Sequence, residues 1–159
     1  MDKKFTKVLL DLKIIPYLFL LTLPFSVHSQ ITFNDIKKID SEQDFQRVCI
    51  ENGLQKDHSV TWKMQYAYRP YDDFKLAYIW ASYYINDDFR FLFVIDNGYG
   101  GWNDEYYTYQ KIIADIKNSC NFYKVEDDVA YYSCPGSLYK GKIGFYVEDR
   151  NGIIETKDF

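Results

Sequence analysis

Histidine is almost missing from this chain. There are two, and His28 lies in an N-terminal segment that reads as removable, which leaves His58. A Ser-His-Asp triad, or a cysteine activated by histidine, would have to rely on that one residue, and no Gly-x-Ser-x-Gly elbow is present. Three separated cysteines and one histidine do not supply the ligand spacing of a zinc site. A basic stripe is also lacking: 19 Lys and Arg stand against 23 Asp and Glu, a net charge of −4. Phosphate contacts need clustered Lys and Arg, so nucleic acid is excluded as a partner, and anionic membrane surfaces are disfavoured for the same reason. No apolar run reaches the roughly 20 residues that span a bilayer. The glycines of 96–103 are not followed by Lys-Ser/Thr, and Asp104 and Glu105 open the next helix, so phosphate would be repelled there. From these absences no cofactor, no metal and no catalytic constellation are expected.

What stands at the N-terminus predicts export. Lys3, Lys4 and Lys7 form a positive n-region, and Ile14 to Phe25 is a short apolar stretch broken by Pro16 and Pro24. Val27 and Ser29 supply the small residues of a cleavage site. The reading is a signal peptide over 1–29 and a mature chain from Gln30, periplasmic or secreted, with no membrane span after processing. An uncleaved anchor is the competing reading, and the short run argues against it. Removing 1–29 takes away four lysines and two aspartates, leaving 15 basic and 21 acidic side chains. Residues 30–159 have the length of one domain with its own core.

Aromatic residues are abundant, 19% of the chain, beside only two methionines. Tyrosine packs its ring while wetting its hydroxyl, which suits half-buried sheet faces. The same composition also suits a Tyr/Trp-lined binding face.

The hydrophobic pattern predicts an α+β fold. After a lead-in with an edge strand near Ile31–Phe33, Ser41 and Asp44 resemble a capping box. Phe45, Val48 and Cys49 then share a helical face, and Asn52-Gly53-Leu54 makes a Schellman stop. Strict alternation over Val60, Trp62, Met64, Tyr66 and Tyr68 predicts a strand. Further strands are expected over 76–84 and 89–95. Tyr109, Ile112, Ile113, Ile116 and Cys120 form the clearest helical stripe. Strands over 122–125, 129–134, 142–148 and 153–156 complete the chain, with the turn 149–152 before the last. Asp72-Asp73, Asp87-Asp88 and Asp127-Asp128 fall between strands and read as turn formers rather than catalytic or calcium-binding pairs. The predicted architecture is an antiparallel sheet with two helices on one face, with two α-β-β-β repeats over 40–95 and 104–159.

In the C-terminal half, Cys120-Asn121-Phe122-Tyr123, Tyr131-Tyr132-Ser133-Cys134-Pro135 and Tyr139-Lys140-Gly141-Lys142-Ile143-Gly144-Phe145 resemble a signature of small exported bacterial proteins. The helix-plus-strands order is similar in topology to the β-lactamase inhibitor protein family.

Cys120 ends a helix and Cys134 ends a strand that returns beside it, so a disulfide between them is expected. Cys49 to Cys120 is the rival pairing. Tyr99 and Trp102, set among glycines with Asn97, are the candidate binding residues, together with Tyr71 in an earlier loop. These features point to a non-catalytic exported binding protein, inhibitor- or immunity-like, for a protein partner in the cell envelope or outside. The alternatives are a carbohydrate-binding module with Tyr/Trp platforms, and a carboxylate-dependent hydrolase.

Overall fold

The structure is a computed structural model that describes residues 31–68, 74–95 and 103–159. Its first elements are set by local capping. Thr32 Oγ1 accepts from the Asp35 backbone N–H at 3.2 Å, and Asp35 Oδ2 accepts from the Thr32 N–H at 3.0 Å, a complete capping box. It starts helix α1, Phe33–Ile36, where the apolar lead-in suggested an edge strand. Ile31, Phe33 and Ile36 are all buried by it. Helix α2, Glu42–Glu51, starts at Ser41, whose Oγ accepts from the Asp44 N–H at 3.1 Å. It stops as a Schellman motif: Gly53 takes φ 75°, its N–H reaches Ile50 O, and the Leu54 N–H reaches Cys49 O at 2.9 Å.

Eight strands follow: β1 Gln55–Lys56, β2 Met64–Tyr68, β3 Ile79–Tyr83, β4 Phe89–Val94, then β5 Asn121–Glu126, β6 Val129–Ser133, β7 Lys142–Glu148 and β8 Asn151–Lys157. Helix α3, Asp104–Ser119, precedes β5. They form one antiparallel sheet in the order β1-β2-β3-β4-β8-β7-β6-β5, so the class is α+β. The last strands of two meanders, β4 and β8, pair at its centre. Two strands are shorter than the pattern suggests. Alternation begins at Val60, but pairing begins at Met64, opposite Tyr83, and Trp62 is 63% exposed. A 3-10 turn at Phe74–Leu76 takes the start of the strand expected over 76–84.

The core lies on one side of β4, where Phe89, Phe91 and Phe93 are buried. From α2, the Phe45 ring stands 5.9 Å from that of Phe91, and from α3 the Tyr109 ring stands 6.0 Å from that of Phe93. Gly152 is required under Tyr109, since a Cβ there would lie 2.7 Å from the ring. Tyr109 then donates to the Tyr146 carbonyl at 2.6 Å, which ties α3 to the sheet. Cys120 and Cys134 form a disulfide across 14 residues, joining the end of α3 to the end of β6. Cys49 is a buried free thiol, and burial pushes its pKa up.

Candidate functional site: the open face of the sheet

Strand residues alternate sides, so Arg90 and Leu92 point away from the three phenylalanines of β4. The ladder registers carry this side across the sheet. One row runs Gln65, Ser82, Arg90, Glu155, Gly144, Tyr131 and Lys124. The next row runs Ala67, Trp80, Leu92, Ile153 and Tyr146. A polar row thus lies beside an aromatic and aliphatic one.

Glu155 is the hub of the polar row. Arg90 Nη2 donates to its Oε2 at 2.6 Å, Tyr131 Oη to its Oε1 at 2.7 Å, and Tyr146 Oη to Oε2 at 3.4 Å. Gly144 makes the second contact possible. A Cβ on Gly144 would sit 2.6 Å from the Tyr131 ring, so the bare backbone lets Tyr131 lie across β7 and reach β8. Burial opposes the charge on Arg90, while Glu155 and the nearby tyrosine hydroxyls more than offset it and hold its pKa above the ordinary value. Burial, with the bond to Glu155, also raises the pKa of Tyr131. At the β2 end, Lys63 Nζ donates to Ser82 Oγ at 3.0 Å and lies 4.8 Å from the Trp62 ring centre. Burial first, and then Arg90, lowers the Lys63 pKa.

Two depressions lie on this face, and a third adjoins at its edge and turns toward Glu42 of α2, with Tyr84 bordering all three. The largest, about 600 Å³, has Arg90, Tyr131, Tyr146 and Glu155 in its lining and carries Asp88, Asp127, Asp128 and Glu148. A second, about 300 Å³, lies over Lys63, Trp80, Ser82 and Leu92. A third, about 540 Å³, reaches Trp62 and Ile85, which is 92% exposed. Asp87, Asp127 and Asp128 adopt φ of 65°, 50° and 63°, so these acidic pairs are turn residues, as their positions between strands indicated. Asp88, Asp127 and Asp128 also face the largest depression.

Both Glu155 oxygens already hold donors, and Arg90 is engaged by the same carboxylate. The surface offers rings, a guanidinium and fixed charges around a wide opening. His58 is exposed in the turn before β2.

Tyr71, Asn97, Tyr99 and Trp102 lie outside the described residues. Cys120 and Cys134 are brought together as expected. Trp80, Tyr84, Arg90, Tyr146 and Glu155 were not singled out by sequence, and Tyr131 entered only as part of the C-terminal signature. A usable signal existed for Arg90, the only charged residue in the strand Phe89–Val94, because a charge in such a run needs a partner. No helix among the described residues is long and apolar enough to cross a membrane. No protein-family model, curated protein or solved structure matches the chain.

Proposed function

We propose that this is an exported, non-catalytic binding protein, inhibitor- or immunity-like in kind, that docks a protein partner on the open face of its sheet. The observation that carries the reading is the presence of Trp80, Tyr84, Arg90 and Tyr146 around adjoining depressions on the side away from Phe45 and Tyr109. Trp, Tyr and Arg are the residue types that dominate interface energetics. In this reading α2 and α3 cover one side of the sheet. Each opens a unit of helix plus four strands, and the second side stays free for a partner. Residues 1–29 act as a signal peptide, and the Cys120–Cys134 bridge is at home in the oxidising compartment reached by export. Tyr71, Asn97, Tyr99 and Trp102 add to the contact.

A carbohydrate ligand is the second reading, favoured by the exposed Trp62 ring 6.1 Å from that of Tyr84. The test is capture from envelope and secreted fractions on immobilised protein, read by mass spectrometry, with Tyr84→Ala/Tyr146→Ala run in parallel. A partner held by the wild type and lost by the variant supports the proposal. Equal retention by both removes this face as the site.

A further inference from the structure

The open face is graded in charge. Around the largest depression stand Asp88 from the β3–β4 turn, Asp127 and Asp128 from the β5–β6 turn, Glu148 at the end of β7, and Glu155 below them. The cations in the same lining, Arg90 and Lys157, are both taken: Arg90 by Glu155 at 2.6 Å, and Lys157 by Glu126. Among the described residues, Asp127, Asp128 and Glu148 form no ion pair. The neighbouring depression over β2 and β3 contains Lys63 and Arg90 and no carboxylate.

We infer that the partner presents a basic segment to this face, and that the depression beside Glu155 receives one of its Arg or Lys side chains. This rests on the protein-docking reading and names the partner's chemistry. A cation entering there meets five carboxylates against two cations, Arg90 and Lys157, that are already paired, whereas an anion is repelled. Tyr84 and Tyr146 wall the opening and offer ring faces, on which a guanidinium or ammonium group gains further attraction. The gradient fixes orientation, with the partner's base toward β6 and any acid toward Lys63.

A metal ion is a poor occupant, because no three His, Cys, Asp or Glu side chains among the described residues are placed to hold one. A small amine would use one depression. Here the acidic depression shares Tyr84 and Arg90 with the one over Lys63 and Trp80, so an occupant that uses both is longer than a single side chain, as a protein segment is.

The test uses two pentapeptide probes, acetyl-Gly-Arg-Trp-Arg-Gly-amide and its Glu-for-Arg counterpart. Each is titrated into the isotopically labelled protein at about 50 mM salt, where surface charge is weakly screened. The Arg probe is expected to shift the amides of Tyr84, Arg90, Tyr146 and Glu155 and to bind at least about fivefold tighter than the Glu probe. Asp127→Asn/Asp128→Asn, which keeps a residue type that accepts positive φ, should weaken it about threefold or more. Asp40→Asn/Glu51→Gln removes the same charge at exposed positions flanking and ending α2 and should leave it unchanged.

Equal weakening by both variants would reduce the effect to overall charge and overturn the inference. A Glu probe that binds the same amides as well or better would overturn the charge assignment while leaving the docking face standing. If neither peptide moves those amides at about 5 mM, where even weak contacts register, the docking reading falls with the inference. Shifts there with chitohexaose instead would assign the face to sugar.

Discussion

The two halves of the sheet are held together differently. In the first, one helix residue does most of the joining. The Phe45 ring of α2 stands 6.0 Å from Tyr66, 5.3 Å from Tyr83 and 5.9 Å from Phe91, bridging β2, β3 and β4 at once. In the second, α3 reaches Phe93 and Gly152, while on the outer strands Phe122 and Val125 are 59% and 61% exposed. That half relies on other ties: the disulfide, Tyr131 reaching across Gly144 to Glu155, and Tyr139 donating to Asp88 at 2.7 Å. A half stabilised by polar ties has charges and hydroxyls in place at its surface, and β6 to β8 supply most of the acidic opening proposed as the docking point.

Removing the bridging ring tests the first half. Phe45→Ala should destabilise by about 3–5 kcal/mol, the range for an aromatic lost from a closed core. In a urea melt a loss under about 1 kcal/mol would mean that α2 is not what closes β2 to β4. For the second half, Cys120→Ser/Cys134→Ser should remove about 3 kcal/mol, by the chain-entropy relation for a loop of this length. Melting the double variant beside the reduced wild type checks this, and unchanged midpoints in both would show that the staple contributes nothing.

How much of this was open to sequence follows the same division. The stripe Tyr109, Ile112, Ile113 and Ile116 is the buried face of α3, and the strand expected over 142–148 is found over those residues, because both signals are local. The Cys120–Cys134 pairing was legible because both ends close neighbouring elements. The strand from Val60 was overextended, since alternation says which way side chains would point and not whether a partner strand is present. The helix at Phe33 was missed although Thr32 and Asp35 have the same spacing as Ser41 and Asp44. The Arg90–Glu155 pair was out of reach, because it depends on a register between strands 65 residues apart. Trp80, Arg90, Tyr146 and Glu155 sit at strand positions whose neighbours only the fold supplies.

The polar ties also predict an alkaline limit. Burial raises the pKa of Tyr66, Tyr131, Tyr139 and Tyr146, and pushes Tyr83 and Tyr109 up to about 12. In the unfolded chain these phenols ionise near their ordinary value of 10.0, so the folded state holds protons that the unfolded state releases. Their contribution is therefore complete below pH 10 and declines as pH rises from there toward 12. Phenolate absorbance should show a late-titrating class of tyrosines, and Tyr131→Phe should shrink it. A single wave near pH 10 in folded protein would contradict this.

The smallest effect is expected at the edge of the second half. Glu126 lies at the surface between Lys157 and Lys124, the latter at 3.2 Å. The bond from Lys157, with that from Lys124, lowers its pKa below the ordinary 4.5. A lowered carboxylate favours the folded state once pH exceeds the unfolded value, and that advantage is lost as pH falls through the folded one. Exposed pairs contribute little and are screened by salt, so at neutral pH Glu126→Gln should be nearly silent in a melt. The difference should emerge below pH 4.5, as a shallower fall of stability with acid in the variant, and it should fade at about 1 M salt, where the screening length is about 3 Å. Carboxyl carbon titration by NMR reads the same group directly. A Glu126 midpoint at or above 4.5 would show that the two lysines do not hold it, leaving the outer edge of this half to the disulfide and to Tyr131.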